Sequence, residues 1–226
     1  MQTTAHRLEL DGYAITPGLI AQTEAAIAAR ALERMNVRSA GTRNLLQRPW
    51  CRALIQRVKA RLVNQEALPS SYVAVQCTLF DKTPHRNWLV ALHQDLSIPV
   101  KSRVGHPSFG AWSEKEGELF VQPPIEVLEM LVAARIHVDD CGLENGPLRV
   151  VPASHGRGRV STTVAKQLKL TLGEEPCVVK RGDGILMRPL LLHASSKAVA
   201  PSRRRVLHVL FGPATLPHGL EWKHAV

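Results

Sequence analysis

The chain has 226 residues, 45% hydrophobic and 21% charged, with a formal net charge of +10. That is the size and composition of one ordinary globular domain, and it excludes a disordered or low-complexity chain. No apolar run approaches the ~18 residues of a membrane span, and residues 1–20 lack a basic stretch followed by an apolar one, so a cytoplasmic location is expected.

The four cysteines, Cys51, Cys77, Cys141 and Cys177, are far apart and form no C-x-x-C, so reduced thiols are expected rather than a zinc site or disulfide framework. The basic excess is spread along the chain, from Arg43, Arg48, Arg52, Arg57, Lys59 and Arg61 to Arg157, Arg159 and Arg203–Arg205. Aromatic residues make up only 4%, which leaves few stacking platforms for single-stranded nucleic acid. Solvated helix faces and a small, anionic ligand fit this distribution better than a nucleic-acid partner.

Two helices are predicted first. Thr16 followed by Pro17 suits an N-cap and first helical position, and Leu19, Thr23, Ile27, Ala31 and Met35 recur every four residues. A second helix from about Pro49 carries Trp50, Leu54, Val58 and Leu62 at the same spacing, with arginines between them. From Ser71 the period becomes two. Val73, Val75, Cys77 and Leu79 are expected on one face of a strand, with Tyr72, Ala74, Gln76, Thr78 and Phe80 on the other. Further strands are predicted at 88–95, 133–139, 148–151, 176–180, 184–187, 190–194 and 204–211, with the RGDG at 181–184 read as a hairpin turn.

Helices followed by many short strands, without βαβ alternation, predict a mainly β fold of jelly-roll type. The expected organisation is one domain over 1–226. It comprises a helical buttress at 1–70, a β core at 71–212 and a C-terminal tail at 213–226.

Within the strand 88–95, alternation would place Leu89, Ala91, His93 and Asp95 on one face, delivering a nitrogen and an oxygen ligand to one point. Two histidines and one carboxylate make the facial triad that holds non-haem Fe(II). His193, at the end of another apolar run, is the candidate third ligand. Eleven residues later Arg204 opens a strand that could pair with 190–194. A guanidinium entering a barrel core is costly to desolvate unless an anion meets it, which suggests a small dicarboxylate between metal and arginine. A rival pair, His137 and Asp139, runs into a turn-rich loop where aspartates commonly accept from backbone amides.

The HQD at 93–95, the ENGPLRVVPASH run at 144–155 and Arg204 at its spacing from His193 together resemble the phytanoyl-CoA dioxygenase family. The resemblance spans roughly Val73 to Phe211. It implies a double-stranded β-helix and an Fe(II)- and 2-oxoglutarate-dependent dioxygenase that consumes O2, releases succinate and CO2, and hydroxylates an unactivated C–H of a small organic substrate. His93, Asp95 and His193 would be the metal ligands and Arg204 the anchor of the distal carboxylate. Thr78, Gln94, Trp112 and Ser195 would contact 2-oxoglutarate, and Trp88 and Arg149 are candidate substrate residues at the mouth. The chemistry would occur at the iron, with no separate acid or base. Related halogenases lack the carboxylate that Asp95 supplies, which favours hydroxylation. The family's P-G-S-H reads Pro152-Ala153-Ser154-His155 here, a change expected to alter a turn. Two other readings stay open: a metal-dependent cupin isomerase or hydrolase, and a basic nucleic-acid-binding domain.

Overall fold

The short Val-, Ile- and Leu-rich segments pair into three antiparallel sheets. The structure is a computed structural model describing residues 3–35, 41–199 and 201–226. In chain order its elements begin with α1 (Thr4–Leu10), β1 (Tyr13–Thr16), α2 (Gln22–Glu33), β2 (Gly41–Thr42) and α3 (Pro49–Asn64). Next come β3 (Tyr72–Lys82), β4 (Val90–His93), β5 (Ile98–Val100), β6 (Trp112–Lys115), β7 (Glu118–Val121), α4 (Ile125–Glu129) and β8 (Val132–His137). The chain ends through β9 (Leu148–Val150), α5 (Thr162–Leu172), β10 (Glu175–Cys177), β11 (Gly184–Met187), β12 (His193–Ser195) and β13 (Arg204–Pro213).

A six-stranded sheet, ordered β1-β11-β8-β13-β3-β2, faces a four-stranded sheet, β10-β9-β12-β4, as the two walls of a double-stranded β-helix. A smaller sheet, β5-β7-β6, lies beside them. Helices α2 and α3 cover the outer face of the large sheet. Leu54, Ile55, Val58 and Leu62 pack there with Ala74, Cys77, Leu79, Leu207, Val209 and Phe211. Burying a Leu or Ile of this kind stabilises the fold by roughly 1.5–3 kcal/mol. No helix among the described residues is long and apolar enough to cross a membrane. All four cysteines are free and buried.

Several details depart from the sequence expectations. Thr16 ends β1, paired with Gly184, and does not cap a helix; α2 starts after Ala21, whose backbone N–H donates to Glu24 Oε2 at 2.8 Å. The buried face of α2 is Ala25, Ala28, Ala29 and Leu32, while Ile27 is 61% exposed. A strict four-residue spacing drifts ~40° around a helix at each step, so the expected stripe could not stay on one side. The first 70 residues also supply both edge strands of the large sheet, so they do more than buttress it. The RGDG turn joins strands of different sheets rather than closing a hairpin. The tail is tied down by mutual backbone bonds between Val226 and Ala74.

Two bulges break the expected alternation. In β3 the register slips where Gln76 faces Leu210 but Ala74 faces Phe211, leaving Val75 over. Tyr72 and Ala74 therefore share the helix-covered face with Cys77 and Leu79, while Gln76, Thr78, Phe80 and Lys82 point between the sheets. In β4, His93 faces His193 but Val90 faces Ser195. Trp88 and Val90, not Leu89 and Ala91, accompany His93 inward, and Leu89 is 63% exposed.

Candidate active site

The bulge in β4 and the short β12 bring two histidines directly opposite each other, their ring centroids 4.2 Å apart. Asp95 follows two residues after His93, its backbone N–H fixed on Pro189 O at 2.9 Å. One ligand atom from each of His93, Asp95 and His193 lies within 4.8 Å of the others. The Nδ1 of His93 bonds Ala91 O at 2.8 Å and that of His193 bonds Leu191 O at 2.9 Å. With Nδ1 donating to a carbonyl, a neutral ring keeps its lone pair on Nε2, and each Nε2 lies 3.7 Å from an Asp95 oxygen; burial disfavours a charge on His93, yet the bond to Asp95 raises it above its ordinary value. Backbone carbonyls thus hold both imidazoles in the ligating tautomer, as a metal site requires. Burial opposes ionisation of Asp95, yet His193, His93 and His208 hold its carboxyl far below the usual range. Burial pushes His193 down to about 4, so it stays a neutral donor. Two imidazoles and one carboxylate, oriented in this way, fit a divalent iron.

The triad opens into a cavity of about 270 Å3 between the two main sheets. At one end sits a buried cation cluster. Arg204, 2% exposed, donates through Nη1 to Gly146 O and through Nη2 to Ser195 Oγ at 3.4 Å. Lys82, 1% exposed, donates to the same Ser195 Oγ at 3.0 Å and to Ser196 O at 2.5 Å. Ser195 Oγ in turn donates to Gly146 O at 3.0 Å. Burial, with the charges of Arg204 and Arg135, pulls Lys82 down to about 8. Among the described residues Arg204 Nε has no partner. Neither Arg203 nor Arg205 joins this cluster. Arg203 forks onto Asp81 at 3.0 Å through both Nε and Nη2, and Arg205 pairs with Asp139 at 2.7 Å and Glu33 at 3.1 Å. Strand alternation separates the three: the middle arginine points in and its neighbours point out.

Arg204 does not lie on a strand beside His193, as the sequence suggested. β13 pairs with β3 and β8, β12 with β4 and β9, so histidine and arginine face each other from different sheets. The cavity brings together His93, Asp95, His193, Thr78, Ser195, Arg204 and Trp88. Three expected residues lie outside it. Gln94 spends its amide on the backbone, donating to Gly158 O and Leu190 O at 2.7 Å and accepting from Val160 N at 3.0 Å. Trp112 packs in β6 against the apolar core under the guanidinium of Arg103. Arg149 pairs with Glu174 at 2.6 Å. The rival His137 is buried with both ring nitrogens unpartnered, and burial near Arg135 and Arg204 pushes it down to about 3. Its neighbour Asp139 is occupied by Arg205.

Sequence reasoning missed Lys82, Arg135 and His208, which also line the cavity. The signal was available: Lys82 continues the Thr78–Phe80 phase of β3, and His208 the Arg204 phase of β13. At the other rim, the tip of the β6–β7 hairpin clasps the chain beside β2. Glu116 accepts there from Thr42 Oγ1, Arg43 N and Arg43 Nη1 at 2.7–2.9 Å.

A double-stranded β-helix with a two-histidine, one-aspartate cluster and a buried arginine defines the non-haem iron, 2-oxoglutarate-dependent class of enzymes. The family of phytanoyl-CoA dioxygenase matches residues 8–206, and the chain belongs to it. It is an enzyme of that class, with iron and 2-oxoglutarate as its cofactor set. No curated protein sequence matches the chain. Among solved structures it is similar to the epimerase SnoN in complex with Fe3+, α-ketoglutarate and nogalamycin RO (TM-score 0.72, 16% identity, covering 96% of this chain and 86% of that one). It is also similar to AviO1 from Streptomyces viridochromogenes Tue57 (0.64, 22%, 95% and 96%). A third is HygX from Streptomyces hygroscopicus with nickel, 2-oxoglutarate and hygromycin B bound (0.63, 17%, 92% and 86%). At these identities the likeness shows the fold.

Proposed function

We propose that this protein hydroxylates an unactivated C–H bond of a small organic substrate, coupled to conversion of 2-oxoglutarate and O2 to succinate and CO2. The observation that carries the reading is that the triad and the buried Arg204–Lys82–Ser195 cluster line one and the same cavity. In this reading His93, Asp95 and His193 hold the iron, and Arg204 and Lys82 receive the distal carboxylate of 2-oxoglutarate across Ser195. Iron so held supplies the oxidising chemistry that no side chain of the cavity has. The backbone bonds to both Nδ1 atoms keep the imidazoles aimed, and Asp95, already ionised, needs no proton removed before it ligates. Phe80, Leu128, Leu131 and Leu210 give the cavity dry walls, which strengthens each charged contact inside. No side chain is assigned as a separate acid or base.

A cupin isomerase or hydrolase would need the triad but has no use for two buried cations facing it. The nucleic-acid reading loses part of its surface, because Arg43, Arg57, Arg61, Arg203 and Arg205 are each paired with an acidic side chain. SnoN is an epimerase and SnoK (TM-score 0.67, 17% identity) a carbocyclase, which makes C–H abstraction with a different outcome the second reading. The test is succinate formed from 2-oxoglutarate across a substrate panel, measured beside iron content. His93→Ala and His193→Ala should each abolish tight iron binding and turnover, and His137→Ala should leave both largely intact. Loss of iron from His137→Ala but not from His93→Ala would overturn the assignment.

A further inference from the structure

Arg135 has no place in the reading above. It lies on β8, lines the cavity, is only 7% exposed and has no partner for its Nε among the described residues. Its guanidinium lies over Phe80, 5.2 Å from the ring centroid, and Nη1 donates to His208 Nδ1 at 3.3 Å. Among the described residues no carboxylate pairs with Arg135, Lys82 or Arg204, whereas Arg203 and Arg205, which flank Arg204, pair with Asp81 and Asp139. An unpaired buried charge is costly, and a protein retains it where a ligand supplies the counter-charge.

Register sets the backbone of Arg135 apart from that of the Arg204 cluster, although the charges still act on one another. Arg204 faces Lys82 across β13 and β3, whereas His208 faces Arg135 across β13 and β8. Four residues of strand part the two rows, ~13 Å along the sheet. The second row lies level with the triad, since His208 Nε2 is 3.8 Å from Asp95 Oδ2. Charge points the same way. A divalent metal and 2-oxoglutarate cancel each other, and Asp95 offsets one of the three cations. At least one buried positive charge then remains unanswered even with Lys82 neutral.

We propose that the primary substrate carries a carboxylate and that Arg135 is its anchor, holding it level with the metal triad while Arg204 and Lys82 keep 2-oxoglutarate. The inference rests on the proposed function and adds the substrate's class. A guanidinium held over Phe80 and bonded to His208 through Nη1 keeps Nε and Nη2 for a ligand, an edge that suits bidentate capture of a carboxylate.

The test uses nickel(II) as an inert metal. Wild-type protein saturated with nickel and 2-oxoglutarate is titrated calorimetrically with acetate, benzoate and phenylacetate. At least one should bind one-to-one. Arg135→Gln should weaken that binding at least tenfold while changing 2-oxoglutarate affinity less than threefold, and Arg135→Lys should recover part of it. Without ligands, Arg135→Met should melt higher than wild type, because an unanswered charge has gone; a merely structural arginine would give the opposite. Absence of binding by all three acids overturns the proposal, as does equal binding to wild type and Arg135→Gln. A fall in 2-oxoglutarate affinity as large as that of Arg204→Gln also overturns it, by giving Arg135 to the co-substrate. Failure of the wild type to hold nickel and 2-oxoglutarate together overturns the proposed function itself, and this inference with it.

Discussion

Gly146→Ala tests how the cation cluster is held. Gly146 has φ +62°, and a Cβ built there would sit 2.3 Å from Ser196 O and 3.0 Å from Ala198 N. Its carbonyl accepts from both Arg204 Nη1 and Ser195 Oγ. Contact between such atoms lies at roughly 3.5 Å, so the two backbones must part by about 1 Å. A left-handed alanine adds ~1–2 kcal/mol of strain. Weakening a bond from a charged guanidinium costs a further ~1.5–3 kcal/mol. Relaxation returns part of this, and a net loss of about 2–4 kcal/mol in urea unfolding is expected. Because Arg204 and Ser195 both hang on the displaced carbonyl, 2-oxoglutarate affinity should fall at least ~tenfold, which is ~1.4 kcal/mol. Nickel affinity should fall less than 2-oxoglutarate affinity, since the clash falls at Ser196, three residues past His193, and the opposite ligand His93 is held from β4. Gly18→Ala is the control: Gly18 has φ +61° with nothing within 4 Å of its Cβ position, so strain alone, ~1–2 kcal/mol, is expected there. The reasoning is refuted if Gly146→Ala is no less stable than Gly18→Ala, or if it binds 2-oxoglutarate as wild type does.

Two further outcomes follow from the same geometry. Burial and the neighbouring arginines hold Lys82 at about 8, so the free protein loses this charge as pH rises through about 8. Binding a carboxylate favours the protonated amine, so 2-oxoglutarate affinity should be flat below that pH and fall above it. Lys82→Met should bind more weakly and without that slope; a slope that persists in the variant would rule out Lys82 as its source. Ala153 has φ +59° where the family's turn carries glycine. Ala153→Gly should therefore stabilise by about 0.5–1 kcal/mol, the left-handed strain less the added chain entropy of glycine. A lower melting temperature in that variant would show that the turn prefers its methyl group.

The ligand chemistry was written in the sequence because it depends on residue type and short spacing. His93 and Asp95 need only a two-residue interval, and Arg204 stood out from Arg203 and Arg205 through its eleven-residue distance from His193. The jelly-roll class followed from the count and shortness of the strands. Gln94 shows the limit of carrying roles over by position: it sits between two ligands, yet its amide is consumed by Gly158, Leu190 and Val160.

What the sequence could not decide was phase and partner. A period of two says that residues alternate, but a single extra residue in a bulge reverses every side chain beyond it, and bulges are fixed by the opposing strand. That is how Trp88 and Val90 replaced Leu89 and Ala91 on the inner face, and how Tyr72 and Ala74 came to share the helix-covered face with Cys77 and Leu79. Pairing between strands remote in the chain was likewise hidden. Arg204 and His193 meet across the cavity because β13 joins β3 and β8 while β12 joins β4 and β9. The sequence determined which groups were available for chemistry. Only the tertiary structure decided which of them share a cavity, because that depends on cross-strand register and on two sheets closing face to face, neither of which leaves a local trace in the chain.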